Sequence, residues 1–243
     1  MLTRSRVLPL FVGLVSAALF VRLGFWQLSR LHERRTGNTA AAAARQESPL
    51  DLNTPGIRRE ASLADRQVLV RGQYDRTHEI VLRNHVYRDA PGVWLVTPLR
   101  IAGSDSAVLV NRGFVPAPDA VTPDIDSLAE PGELTVHGVV TPLPITSDSG
   151  EPLTSRGHTS WKRLDLAALR RTLPYPILPV SILQAPDRAL PSRPIRLDPA
   201  PLDDGPHLSY AIQWFSFAVI GLVGGILLAR ENRTEPQIAQ IRR

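Results

Sequence analysis

Two apolar stretches, one at each end of the chain, constrain everything between them. Val7 to Leu28 (VLPLFVGLVSAALFVRLGFWQL) has 22 residues and one charge, Arg22; Leu208 to Ala229 (LSYAIQWFSFAVIGLVGGILLA) has 22 residues and none. A helix of that length spans about 33 Å, against a bilayer core of about 30 Å. Arg22 sits close enough to the outer end to reach the headgroups. A cleaved signal peptide is the rival reading of the first stretch. It requires a small-residue cleavage motif soon after Val21, where the chain instead reads RLGFWQLSRLHERR. Both stretches are therefore expected to be membrane spans. Arg230, Arg233, Arg242 and Arg243 follow the second, which places the C-terminus, and with two spans also the N-terminus, in the cytoplasm.

The expected division is a cytoplasmic N-terminus (1–6), a first transmembrane helix (7–28), an extracytoplasmic domain (29–206), a second transmembrane helix (208–229) and a basic cytoplasmic tail (230–243). A loop of about 175 residues is too long for a connector and predicts a folded domain. Residues 45–65 read as a polar, partly helical lead-in. Strands are predicted at Gln67–Tyr74, Glu79–Val86, Val93–Ile101, Ala107–Val115, Glu133–Thr141 and Ile177–Leu183, and a helix at Leu164–Leu173. Residues 186–206 hold prolines at 186, 191, 194, 199, 201 and 206 and predict an extended linker. The fold class is thus a membrane protein with two transmembrane α-helices flanking one β-rich α+β extracytoplasmic domain.

Composition narrows the chemistry. The absence of cysteine excludes disulfides, thiolate metal sites and cysteine-mediated copper delivery. Net charge is +5, carried by 27 arginines and Lys162, but the arginines are scattered among acidic residues, so no nucleic-acid footprint forms. Nucleophile-elbow, HExxH, Walker A and GxGxxG patterns are absent. His78 and His85, seven apart, fall on opposite faces of a strand, which argues against a shared zinc. Asp124 and Asp126 read as a solvated turn, and Asn232–Thr234 as a chance glycosylation pattern on the cytoplasmic side.

The second apolar stretch carries a pattern. At 100° per residue, His207, Tyr210, Trp214, Ala218, Gly221 and Gly225 share one stripe. Its inner half is small, with Gly221 and Gly225 at a spacing that admits a second helix; its outer half is polar and aromatic. Two readings stand: an interfacial belt of aromatic residues, or a packed face whose outer end forms a pocket where imidazole can ligate iron and flat rings can wall a planar cofactor. The first stretch offers Trp26, Gln27 and Arg30 at the same end. If the helices pack antiparallel, Gln27 and Gln213 can specify the pairing, and Arg30 can receive either a propionate-like anion or a lipid headgroup.

Four blocks together resemble the Surfeit locus protein 1 family of cytochrome c oxidase assembly factors: LGFWQLSR at 23–30, PGVWLVTPL at 91–99, VLVNRGFVP at 108–116 and HLSYAIQWFSFA at 207–218. The chain departs from the family pattern at Phe114, where tryptophan is usual, and at Pro206, where asparagine commonly precedes the histidine; the Trp-Lys pair often seen after the first Trp-Gln is also missing. The resemblance implies a non-enzymatic cell-membrane protein of the respiratory chain, assisting heme a insertion into, or maturation of, the oxidase catalytic subunit. It implies a transient heme a contact at His207, with Tyr210, Trp214, Trp26 and Arg30 around it, and heme a synthase as a second partner beside the lipid bilayer. The alternative is an accessory subunit that stays on the mature oxidase without touching heme. For Arg112 in NRGFVP the expectation is a structural role, with Gly113 and Pro116 shaping a strand end.

Overall fold

The computed structural model describes residues 4–56, 62–143, 152–155 and 158–231. The chain divides into two compact units: Met1–Ala40 with Leu202–Arg243, and Ala41–Pro201.

The second unit is built on a β-sheet that closes on itself. Its strands are β1 (Leu50–Asp51), β2 (Gln67–Tyr74), β3 (Ile80–Tyr87), β4 (Ala90–Ile101), β5 (Ala107–Pro116), β6 (Glu133–Pro142), β7 (Leu153–Ser155), β8 (His158–Trp161) and β9 (Ile177–Gln184). The order is β1-β2-β6-β9-β5-β4-β3-β8-β7, with a further β2–β4 pairing that joins β2, β6, β9, β5 and β4 into a ring. β4 makes closure possible because it is 12 residues long. Its first half pairs with β3, and its last residues, Leu99–Ile101, pair with Gly72–Tyr74. Gly72 is needed there: a Cβ would lie 2.1 Å from the Arg100 carbonyl oxygen.

Period-two alternation separates the two faces of the ring. Val68, Val70, Leu99, Ile101, Val108, Val110, Val136, Val140, Val180 and Ile182 fill one apolar cluster; Val96, Ala107, Leu109 and Ile177 belong to another. The short helix α2 (Leu166–Thr172) packs in that second cluster through Leu166, Ala168 and Leu169. It starts where the Asp165 carboxylate accepts the Ala168 N–H at 2.7 Å, satisfying one of the first-turn donors. Truncating Leu169, 1% exposed, to alanine costs roughly 2–5 kcal/mol.

The first unit is a pair of helices, α1 (Arg4–Gln46), whose last residues run into the second unit, and α3 (His207–Glu231). Both carry apolar windows long enough to cross a membrane. The first helix does not stop at Leu28. It runs on to Gln46, 43 residues in all, because Ala40–Ala44 favour helix and Arg30 pairs with Glu33 at 2.5 Å one turn on.

Inward-facing positions on α1 include Gly13, Ala17, Phe20, Gly24, Gln27 and Leu31, and on α3 His207, Ala211, Trp214, Ala218, Gly221 and Gly225, with the Phe25, Phe215 and Phe217 rings meeting beside them. Both sets advance by alternating steps of four and three, the 3.5-residue repeat of supercoiled helices. That repeat, rather than the 3.6-residue one, corrects the expected stripe. Ala211, 1% exposed, takes the inward place assigned to Tyr210, which is 45% exposed. The basic tail beyond Glu231, with Asn232–Thr234 in it, lies outside the described residues.

Candidate functional site

At one end of the helix pair His207 meets Gln27. The imidazole Nδ1 lies 2.9 Å from the Gln27 Oε1. An amide oxygen only accepts, so Nδ1 carries the hydrogen, and in the neutral ring the lone pair falls on Nε2. Gln27 is 9% exposed and therefore needs a partner; His207 is that partner, which makes the contact a pin for the helix register as well as for the ring. Pro206 has no side-chain donor to offer the histidine beside it. Its carbonyl instead accepts the Tyr210 N–H at 3.1 Å and the Ser209 hydroxyl at 2.8 Å, and Gln27 orients the ring from across the seam.

The other expected residues divide. Trp214 turns inward and stacks on Phe20, with ring centroids 5.8 Å apart and planes at 21°. Trp26 is 55% exposed, one position round the helix from Gln27, and Tyr210 and Gln213 face outward. Gln213 thus does not join Gln27 in the seam. Arg30 points away with Glu33. Gly221 and Gly225 face Gly13: a Cβ on Gly13 would lie 2.8 Å from the Gly221 oxygen and 3.1 Å from the Gly225 Cα. The Asp203–Gly205 turn before α3 is tied to α1 by Arg35 on Asp204 at 2.8 Å and by Asn38 on the Asp203 carbonyl at 2.7 Å.

In the second unit the NRGFVP segment lies inside β5. Arg112, 1% exposed, donates to Glu79 at 3.0 Å, Glu130 at 2.8 Å and the Leu128 carbonyl at 2.5 Å, and its guanidinium lies 4.9 Å from the Tyr74 ring centroid. Glu130 also receives Arg196, which donates to Gln184, and Glu79 receives the Thr97 hydroxyl at 2.6 Å. Two arginines and two carboxylates thus neutralise one another within the fold. Burial pushes the Tyr74 hydroxyl above its ordinary value, against the lowering field of Arg112. Gly113 is not at a strand end. It sits mid-strand at φ +127°, where a Cβ would lie 2.3 Å from the Ile195 oxygen, and Phe114 and Ile195 exchange two 2.8 Å backbone hydrogen bonds. Residues 186–201 are therefore partly docked on β5, where the sequence predicts only an extended linker.

One cluster has no forerunner in the sequence reading. His78 lies in a 3-10 turn (Arg76–His78) ahead of β3, so strand alternation does not relate it to His85. Its Nδ1 is 2.7 Å from Asp75 Oδ2, which also accepts the Tyr175 hydroxyl at 2.8 Å. Burial alone would raise the Asp75 carboxyl; the hydrogen bonds from Tyr175 and His78 outweigh it and hold it below its ordinary value. The legible signal was Asp75 three residues before His78, an N-cap spacing; Tyr175, 100 residues away, gave none.

A closed β-ring domain carried between two long apolar helices, with a histidine–glutamine contact at the helix seam, defines the class of protein. The sequence pattern of the SURF1 family matches residues 14–219, and the chain belongs to this family, known in general as cytochrome oxidase assembly factors and not as enzymes. A SURF1-like protein of Rickettsia felis is 28% identical over 227 residues, covering 90% of this chain and 96% of its own. Those of Rickettsia prowazekii and Monosiga brevicollis are 27% and 26% identical, covering 88% and 86% of this chain and 86% and 83% of their own.

Proposed function

We propose that this protein is a membrane-spanning assembly factor that holds heme a during its insertion into the catalytic subunit of a heme-copper oxidase. The observation that carries the reading is the 2.9 Å contact between His207 Nδ1 and Gln27 Oε1. It fixes the tautomer that leaves Nε2 free to ligate, the arrangement in which a second residue orients a metal-binding imidazole. No group of three or more histidine, cysteine or acidic side chains suited to a metal ion occurs among the described residues. A single oriented imidazole suits a macrocycle that brings its own four nitrogens and needs one axial ligand; it does not suit a bare ion. Trp26 and Tyr210, exposed at the same end, are flat walls for such a ring, Arg30 would exchange Glu33 for its propionates, and Trp214 closes the seam behind.

In this reading α1 and α3 both cross the cell membrane, with the termini in the cytoplasm and the β-domain outside. Arg230 at the end of α3 and the arginines after it support that orientation. The partners are the oxidase catalytic subunit, heme a synthase as the source of the cargo, and the bilayer. The test is the absorption spectrum of the full chain purified from cells that make heme a, beside His207→Ala. Wild type is expected to carry a heme a band that the variant loses; equal heme content in the variant, with normal oxidase maturation, would overturn the assignment.

A further inference from the structure

His207 Nε2 is the ligand atom of the proposed function, and the residue two places before it governs what can reach that atom. Gln27 holds the other ring nitrogen, Nδ1, at 2.9 Å, so the ring cannot turn Nε2 elsewhere without giving up that bond. The Nε2–Cδ2 edge faces Gly205. A Cβ on Gly205 would lie 3.5 Å from Cδ2 and 3.6 Å from Nε2.

The turn that carries this glycine is tied down. The Gly205 N–H donates to Asp203 Oδ1 at 3.0 Å, Arg35 Nε donates to Asp204 Oδ2 at 2.8 Å, and the Asn38 amide donates to the Asp203 carbonyl at 2.7 Å. Neither conformation nor packing demands glycine here. Its φ of +65° lies in the left-handed region, which asparagine also populates. A carbon at 3.5 Å from the ring makes an ordinary contact, so a side chain fits. What a side chain would remove is the bare edge of the imidazole. A metal bonded to an imidazole nitrogen lies about 2 Å from it, and a planar macrocycle spreads sideways from there. A carbon 3.6 Å from Nε2 stands within the space such a group needs.

We propose that Gly205 is the access residue of the His207 site: by lacking a side chain it leaves Nε2 open to a bulky axial partner, which approaches beside the Asp203–Gly205 turn. The identity of that partner rests on the heme reading; the openness of the edge does not.

The experiment uses the full chain in detergent and diethyl pyrocarbonate, which acylates the unprotonated imidazole nitrogen. The rate at His207 is read by mass spectrometry against the exposed His32, at the alkaline plateau where neither rate depends on pH. Gly205→Asn keeps the left-handed backbone and adds a side chain; Gly205→Ala adds a methyl group alone. Both are expected to slow acylation of His207 severalfold with His32 unchanged, and to lower heme a retention by about tenfold or more. A broken turn would release the ring and raise the rate, so slowing identifies a covered edge. A wild-type or faster rate at His207 in Gly205→Asn would overturn the role, as would full retention of heme a by that variant where the wild type carries it. Slowed acylation with no heme a on the wild type would sink the heme reading and uphold Gly205 as the access residue.

Discussion

At the scale of single residues, partners matter more than identities. His207 was legible in the sequence as a polar residue opening an apolar helix. Its orienting partner was visible only as one of two glutamines, and the helix pairing selects Gln27 over Gln213. Gln27→Leu removes the acceptor that holds Nδ1–H; under the proposed function heme a retention is expected to fall roughly 10–100-fold, the effect of removing a group that orients a metal ligand. Gln27→Glu keeps an acceptor and is expected to retain most of it; the heme a band per protein checks both. Arg112 shows the same dependence in a buried setting. Arg112→Met leaves Glu79 and Glu130 short of a counter-charge inside the fold, and the β-domain is expected to lose roughly 3–5 kcal/mol, read from the guanidinium unfolding midpoint. Arg112→Lys is expected to lose nearly as much, since one ammonium cannot reproduce the planar fork that reaches both carboxylates.

Elements were legible where they bury a regular pattern. Gln67–Tyr74 was expected and found with the same bounds, and the other five predicted strands agree within three residues at either end. β1, β7 and β8, of two to four residues, are too short for alternation to register. Ring closure was invisible because it depends on Gly72 admitting a neighbouring backbone, which no periodicity encodes. In the helix pair, the glycines were legible but the repeat was not: a 3.6-residue wheel admits Tyr210, and only the crossing with α1 turns Ala211 inward. The seam makes a sharp distinction between adjacent glycines. A Cβ on Gly225 would lie 2.9 Å from the Pro9 oxygen, whereas one on Gly224 meets nothing within 4 Å. Gly225→Leu is therefore expected to part the helices and Gly224→Leu to leave them paired. Fluorotryptophan spectra resolve the four tryptophans, and only Gly225→Leu should move the Trp214 line, which reports the stack on Phe20.

At the scale of the whole β-domain, a few side chains with displaced titrations join segments far apart in sequence, and their signs predict how stability follows pH. Asp75 ties the turn after β2 to Tyr175, which precedes β9. Because Asp75 is held below its ordinary value, its contribution is complete above about pH 4 and is lost as pH falls through the folded value. Burial lowers His85, which favours the neutral ring in the fold, so its contribution begins to fall earlier, below its ordinary value of 6.5. Tyr175 moves the other way: burial first, then the hydrogen bond to Asp75, push its hydroxyl up. Its contribution is complete below about pH 10 and is lost as the unfolded phenol ionises above that. Tyr74, also raised, adds to the alkaline limb. Stability should therefore form a plateau from neutral pH to about pH 9, with a two-step acid limb. Tyr175→Phe removes one hydrogen bond to a carboxylate and is expected to lower the plateau by roughly 1.5–3 kcal/mol. It should also flatten the alkaline limb, leaving the share that belongs to Tyr74, while the acid step below pH 4 shrinks because Asp75 has lost one of the donors that depress it. Unfolding midpoints across pH for both proteins check this. A variant that lowers the plateau but keeps the full alkaline slope would show that Tyr175 serves packing, through Arg100 stacked 4.3 Å over its ring, and not the hydrogen bond.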